Sequence, residues 1–160
     1  MLDMMMALMV AAPQREYLTE IVSPVYEVTG DPAQLAARAT TCMSQRLGPD
    51  GRGGSVIISS DPATGVVVGN NALEYRDRLV PWRIRSRLTF EARDGRFRLT
   101  HSNIERHNDQ ALGAQLTGAS PWAQIGKWRG SGWQKAQEAF EAVSAGVAEC
   151  VTSQAAPDDW

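Results

Sequence analysis

The chain has 160 residues, of which 43% are hydrophobic and 21% are charged, with 16 basic against 18 acidic side chains. This length favours one domain that buries roughly 68–70% of its unfolded surface. The composition excludes a collagen, an extended disordered chain, a dense disulfide scaffold and a polytopic membrane protein. A net charge of −2 offers no bulk attraction for nucleic acid or anionic lipid, and Lys127 and Lys135 are the only lysines.

Residues 1–12 form an apolar stretch that has several features of an export signal. Its core of about nine residues is too short for a membrane span, which requires about 20. It ends in Val10-Ala11-Ala12, and small residues at such positions suit a signal peptidase. Asp3 and the lack of a preceding basic residue argue against export. A cleaved signal peptide and an uncleaved apolar leader therefore both remain open.

The first predicted elements are a strand over residues 20–28 and a helix that follows Asp31. β-Branched and aromatic residues favour the strand, and Pro24 demotes part of it to an edge or a bulge. Asp31 as the N-cap, a proline at the first helical position and Gln34 three residues after the cap are typical of a helix start. Apolar residues then recur at helical spacing until Gly48-Pro49 ends the helix.

Two hairpins are predicted next. Residues 55–60 and 65–69 flank a short Asp-Pro-Ala-Thr turn, and both strands are apolar enough to lie inside a sheet. Residues 82–104 alternate apolar and polar side chains on either side of Asp94-Gly95, a two-residue turn that favours positive φ. The apolar residues of this hairpin therefore share one face. The register that the turn sets pairs Phe90 with Leu99, and Glu91 with Arg98.

A long connection and a final helix complete the chain. Residues 106–130 lack periodicity, and such a segment in a small domain is either functional or loosely ordered. Ser131 is the predicted cap of the last helix. The predicted order of elements is β-α-β-β-β-β-α, without repeats or a domain linker. The predicted organisation is a signal peptide or apolar leader over 1–12, a single α+β domain over 13–153 and a polar tail over 154–160.

This order and spacing resemble a known protein family. The matching features are the strand Ile21–Val28, the Asp31-Pro32 helix start, the Asp61–Gly65 turn with the strand after it, and the hairpin closed by Arg93-Asp94-Gly95-Arg96. The chain resembles, over residues 17–105, a bacterial family of unknown function with a TBP-like fold, the fold of half of the TATA-box-binding protein. The resemblance implies a curved antiparallel sheet of about five strands with both helices on one face. It implies exported or surface proteins and no catalytic residues, and residues 106–130 depart from its pattern.

Cys42 and Cys150 lie on the apolar stripes of the two predicted helices. Neighbouring helices on one sheet face can bring two Cα atoms within the roughly 4.4–6.8 Å that a disulfide requires. Such a bridge would contribute on the order of 4 kcal/mol to the free energy of unfolding. The alternative is two buried thiols in a cytoplasmic protein, so the pairing depends on the question of export. Neither cysteine is predicted to be catalytic, because no histidine lies near it in sequence.

The two histidines, His101 and His107, do not form a metal site with the cysteines. His101 falls on the inward side of its predicted strand, which favours a core histidine. A zinc site needs three or four ligands at workable spacing, and the cysteines and histidines do not cluster. We therefore expect no metal, no cofactor and no catalytic residues.

The outward positions of the 82–104 hairpin are rich in arginine. Guanidinium groups bind phosphate or carboxylate and stack on nucleobases, so these residues form a candidate surface for an anionic ligand. Within the hairpin only Glu91 is placed to pair with them. The alternative is an ordinary solvated sheet face, with Glu74, Asp77, Glu105 or a tail folded over it. We call this candidate surface the arginine face; its residues are Arg83, Arg85, Arg87 and Arg98, with Arg96 beside them.

The long connection carries a second candidate surface, an aromatic loop with Trp122 and Trp128. Tryptophan with polar neighbours binds sugars or partner proteins. The alternative is that these side chains and Trp133 hold the loop against the core.

Two functions are consistent with the sequence. The first is a non-enzymatic, exported (periplasmic or surface) bacterial domain that acts as a binding or structural module for a protein or an anionic partner. The second is nucleic-acid or anionic-ligand binding through the arginine face. The overall acidity argues against nucleic acid, because contacts to phosphate supply most of its nonspecific affinity. We expect no transmembrane segment, and a cytoplasmic location is the alternative to export.

Overall fold

A computed structural model describes residues 14–49, 55–107, 118 and 120–154. The predicted leader, residues 155–160 of the predicted tail, and residues 108–117 and 119 of the 106–130 connection lie outside the described residues. The elements in chain order are β1 (Glu20–Val22), β2 (Tyr26–Glu27), α1 (Pro32–Arg46), β3 (Ile57–Asp61), β4 (Val66–Asp77), β5 (Val80–Arg93), β6 (Arg96–His107), β7 (Trp122–Ala123) and α2 (Trp133–Ser153).

The strands form one antiparallel sheet in the order β1-β6-β5-β4-β3. β6 pairs with β5 on one side, and on its other side with the three short strands β2, β1 and β7. The sheet thus has seven strands rather than the five expected. The predicted first strand is divided into β1 and β2 around Pro24, and β7 arises from the long connection. The α+β class and the predicted TBP-like layout are confirmed.

The β5–β6 hairpin has the predicted register. Phe90 pairs with Leu99, and Glu91 pairs with Arg98. The turn is closed by Gly95, whose φ of 69° is in the region that glycine adopts without steric cost. The buried apolar side chains of the hairpin therefore face the helices, and the arginine face lies on the other side. Arg106 is an exception, because it pairs with the buried Ile84 and donates to the Tyr75 hydroxyl at 3.3 Å on the helix side.

The first hairpin differs from the prediction at both of its strands. β3 lies at the edge of the sheet, and Ile58 is 47% exposed, so this strand is not in the interior. β4 continues to Asp77, past the predicted end at residue 69, and Arg78-Leu79 turns the chain into β5. The sequence did not predict this extension of β4, because the polar residue Asn71 occupies a buried position where the pattern of a strand would place an apolar residue.

The two helices begin differently. At α1, Asp31 Oδ1 accepts a hydrogen bond from the Gln34 backbone at 2.8 Å, and Gln34 Oε1 accepts one from the Asp31 backbone at 3.1 Å, which confirms the predicted cap. At α2, the N-cap is Gly132 in the left-handed region rather than the predicted Ser131. The Ser131 hydroxyl instead donates to the Gly126 carbonyl at 2.6 Å and ties the preceding loop to the helix.

Both helices pack on one face of the sheet and against each other. Cys42 and Cys150 form a disulfide between them, with their Cα atoms 5.8 Å apart. The largest fully buried side chains beside it belong to Leu35, Met43, Phe90, Phe97 and Leu99. The bridge therefore joins the two helices covalently, in addition to the contacts that each helix makes with the sheet.

His101 is fully buried between the sheet and α2, which confirms the prediction of a core histidine. Its Nε2–H donates to the Phe140 carbonyl at 3.0 Å, with Ser144 Oγ also at 3.0 Å, and its Nδ1 accepts from Ser86 Oγ at 2.8 Å. Burial lowers the pKa of His101 to about 4, although the hydrogen bond to Phe140 opposes this shift. The neutral imidazole is thus a structural group that joins β5, β6 and α2.

Reduction of the disulfide should lower the free energy of unfolding by about 4–5 kcal/mol, because the bridge closes a loop with a sequence separation of 108. Chemical denaturation with and without a reductant measures the difference. The double variant Cys42→Ser with Cys150→Ser is the control and should not respond to reductant. Equal denaturation midpoints for the oxidised and reduced wild type would contradict the prediction.

Acidification from pH 6.5 to pH 4 should cost about 3 kcal/mol of stability through His101, whose pKa is lowered to about 4 from an ordinary value of 6.5. The unfolded chain binds more protons than the folded chain across this window, so stability falls as pH falls and levels off below pH 4. Denaturation of wild type and His101→Gln at several pH values isolates this contribution. Parallel curves for wild type and His101→Gln would refute the assignment.

Candidate functional site

The side of the sheet opposite the helices is polar along β5 and β6, and we call it the helix-free face. Strand alternation places the whole arginine face on it, because these residues alternate with the buried Ile84, Leu88 and Leu99. Arg87 and Arg98 are exposed there, whereas Arg85 is half-buried. The sequence therefore predicted correctly which residues share this surface.

Arg85 is neutralised by Glu105. Its Nη2 lies 2.6 Å from Glu105 Oε2 and its Nε lies 2.9 Å from the same oxygen. The guanidinium also stacks on the Trp122 ring, 4.1 Å from the ring centroid. Only 13% of the Arg85 side chain is exposed, so this ion pair is screened less than a surface pair. Glu105 is one of the acidic residues that the sequence offers to neutralise the arginine face, and in the structure it pairs with Arg85.

A β-bulge brings Glu105 to this position. Between the pairs Arg87–Ser102 and Arg85–Glu105, β5 has one residue, Ser86, and β6 has two. The extra residue is Asn103, which has a φ of 51°. Without it, strict alternation would turn Glu105 toward the helices, because a shift of one residue reverses the face of every later side chain.

The other arginines of the arginine face also have partners, except one. Arg98 Nε lies 3.0 Å from Glu91 Oε2, in a pair that is about half exposed and so contributes little to stability. Arg83 Nη2 lies 3.2 Å from His107 Nδ1. Arg87 has no ion pair or hydrogen bond among the residues that the structure describes. Among the described residues, Arg87 is thus the guanidinium of the arginine face that has neither an acidic partner nor a hydrogen bond.

The two tryptophans of the predicted aromatic loop make separate contacts. Trp122 lies beside the arginine face, because its ring stacks on the Arg85 guanidinium. It also packs edge-on against His107, with 5.0 Å between the two ring centroids. The Trp128 ring packs edge-on against Tyr17, with 6.0 Å between the ring centroids. It also covers Gly126, where a Cβ atom would collide with the Trp128 ring. The structure thus joins one tryptophan to the arginines but not the other.

The loop is held to the core by a residue that the sequence did not single out. Ile125 is fully buried, and its carbonyl accepts a hydrogen bond from the Leu18 backbone at 2.8 Å. A lone isoleucine in an aperiodic segment carries no signal by itself, so only the packing identifies it. Trp133 is half-buried against the same core, with Lys127 Nζ 5.3 Å from its ring centroid.

Among the residues that the structure describes, no three histidine, cysteine or acidic side chains are grouped so as to hold a metal ion. Neither helix in that part of the chain is long and apolar enough to cross a membrane.

Comparison with known proteins identifies the fold. No family model matches this chain, and no curated protein is similar to it in sequence. A DUF4468 family protein from Bacteroides ovatus covers 88% of this chain and 88% of its own length, with a TM-score of 0.54 and 16% identity. A TBP-like protein from Parabacteroides distasonis covers 82% of this chain and 91% of its own, with a TM-score of 0.61 and 10% identity. The predicted resemblance is thus confirmed at the level of the fold.

The arginine face should not bind nucleic acid, because Glu91 and Glu105 neutralise two of its arginines and the chain is acidic overall. We expect no gel shift of a labelled DNA duplex at low salt. The variant Glu91→Gln with Glu105→Gln releases both arginines and should produce a shift that salt abolishes. A salt-sensitive shift with the wild type, lost in Arg85→Glu with Arg87→Glu, would contradict the prediction.

Proposed function

We propose that this protein is a non-enzymatic, exported domain of a bacterial envelope that binds another molecule through its helix-free face. The observation that carries the proposal is the disulfide between Cys42 and Cys150. Disulfides form and persist in oxidising compartments such as the periplasm and the cell exterior, and are rare in the cytoplasm. The apolar stretch over residues 1–12, with small residues at its end, supports the same compartment.

The chemistry of the reactive side chains supports a non-enzymatic role. Both cysteines are bridged, so neither supplies a thiolate. His101 is enclosed in the core with both ring nitrogens in hydrogen bonds, and its pKa of about 4 keeps it neutral. General acid–base catalysis needs a group that can reach a substrate and titrate near the operating pH. His101 does neither.

The layout of the fold supports a binding role for the helix-free face. Antiparallel sheets with helices on one side leave the other side to solvent or to a partner. On β5 and β6 that side carries arginine, glutamate and uncharged polar residues, and β1 and β4 add the apolar side chains of Val22, Val66 and Val68. Such a surface suits a polar ligand or a reversible partner more than an obligate protein interface, which would be more hydrophobic.

Expression in the encoding bacterium tests the export proposal. Mass spectrometry of the protein from fractionated cells should find it outside the cytoplasm, cleaved after Ala12 and bridged between Cys42 and Cys150. The variant Ala12→Gln should block cleavage, because a signal peptidase requires a small residue at this position. An intact amino terminus together with free thiols in the cytoplasmic fraction would overturn the proposal.

A further inference from the structure

A depression of about 330 Å³ lies on the helix-free face at the β-bulge of β6. Bulges next to binding sites commonly re-aim side chains, and here the extra residue is Asn103 with its positive φ. Three strands and two flanking loops contribute to the lining. Its polar lining residues are Thr19, Asn70, Arg85, Ser86, Arg87, Asn103, Glu105 and Gln124, and Arg85 is paired with Glu105.

Arg87 is the cation that this depression offers to a ligand. In the sheet it lies between Asn70 on β4 and Ser102 on β6, both uncharged. It is exposed and has no counterion in the described part of the chain. A guanidinium presents paired donors that match the two oxygens of a carboxylate. Because Arg87 is the one unpaired guanidinium that the described lining offers, the depression favours a ligand with one carboxylate.

Glu105 limits the charge that the depression accepts and supplies an oxygen acceptor. Both of its hydrogen bonds from Arg85 end on Oε2, so within the described structure Oε1 accepts none. Because the Arg85–Glu105 pair is neutral as a whole, it adds no attraction for a second anionic group. A carboxylate oxygen can, however, accept a hydrogen bond from a hydroxyl group, and the amides of Asn70, Asn103 and Gln124 can both donate and accept.

The floor of the depression is rigidly supported. Ser86, which lies opposite the bulge and lines the depression, turns its hydroxyl to the other face and donates to His101. Through His101 this position is connected to the Phe140 carbonyl on α2. A buried and satisfied hydrogen-bond network of this kind rigidifies its surroundings, so the site is formed before a ligand arrives.

We propose that this depression binds a sugar that carries one carboxylate, a uronic acid. The carboxylate lies on Arg87, and the ring hydroxyl groups bind the amides and Glu105. A volume of about 330 Å³ is near the lower end of the roughly 300–1,000 Å³ typical of small-molecule sites, which suits one sugar ring. The inference deepens the proposed binding role but does not depend on export, since purified oxidised protein suffices to test it.

Titration of the full-length oxidised protein with glucuronate, followed by calorimetry and by amide chemical shifts, tests the site. Glucuronate should bind and shift amides around Asn103 and Arg87. Glucose, which lacks the carboxylate, and acetate, which lacks the ring, should each bind at least about tenfold more weakly. Arg87→Gln should weaken glucuronate binding by at least about tenfold, since a hydrogen-bonded charge pair is lost.

Arg93→Gln is the matched control, because it removes the same charge from the same face of the same strand, outside this depression. It should leave glucuronate affinity within about twofold of the wild type. The proposal is overturned if glucuronate does not bind, if acetate binds as well as glucuronate, or if Arg93→Gln weakens binding as much as Arg87→Gln. None of these outcomes bears on the location of the protein, which the mass-spectrometric experiment decides separately.

Discussion

The pairing of β5 with β6 is the constraint on which the rest of the structure depends. β6 supports β1, β2 and β7 on its other side, so these three short strands are joined to the rest of the sheet through this one ladder. The same pairing determines which side of the sheet each side chain occupies. Phe90 and Leu99 lie toward the helices, and the residues of the arginine face lie on the other side. The bulge at Asn103 then changes the phase of β6, which places Ile104 in the core and Glu105 beside Arg85.

The two faces of the sheet are stabilised by different interactions. Under the helices, apolar packing, the Cys42–Cys150 bridge and the His101 network hold α1 and α2 in place. On the helix-free face, cross-strand acids neutralise Arg85 and Arg98, as like charges on adjacent strands require. Arg87 departs from this pattern, because its neighbours across both ladders are neutral. That local difference is the physical basis of the proposed ligand site.

Elements that follow a local sequence pattern, such as a turn, a helix cap or a strand alternation, could be predicted from the sequence. Positions that depart from such a pattern could not. Asp94-Gly95 and the alternation around it identified the main hairpin, and Asp31 with Gln34 identified the start of α1. The length of β4 was missed because Asn71 interrupts the apolar pattern. The bulge was missed because the identity of Asn103 does not reveal that it opposes no residue on β5; that depends on where both strands pair.

The sequence by itself determined the α+β class, the main hairpin, the faces of its side chains and the inward position of His101, because these follow from local periodicity and turn chemistry. Only the tertiary structure decided that Cys42 reaches Cys150 and that Glu105 and Trp122 engage Arg85. It also decided that Arg87 has no counterion among the residues that the structure describes. Contacts between residues far apart in the chain depend on how elements pack and on a single-residue change of register. The amino-acid pattern of any one element does not contain that information.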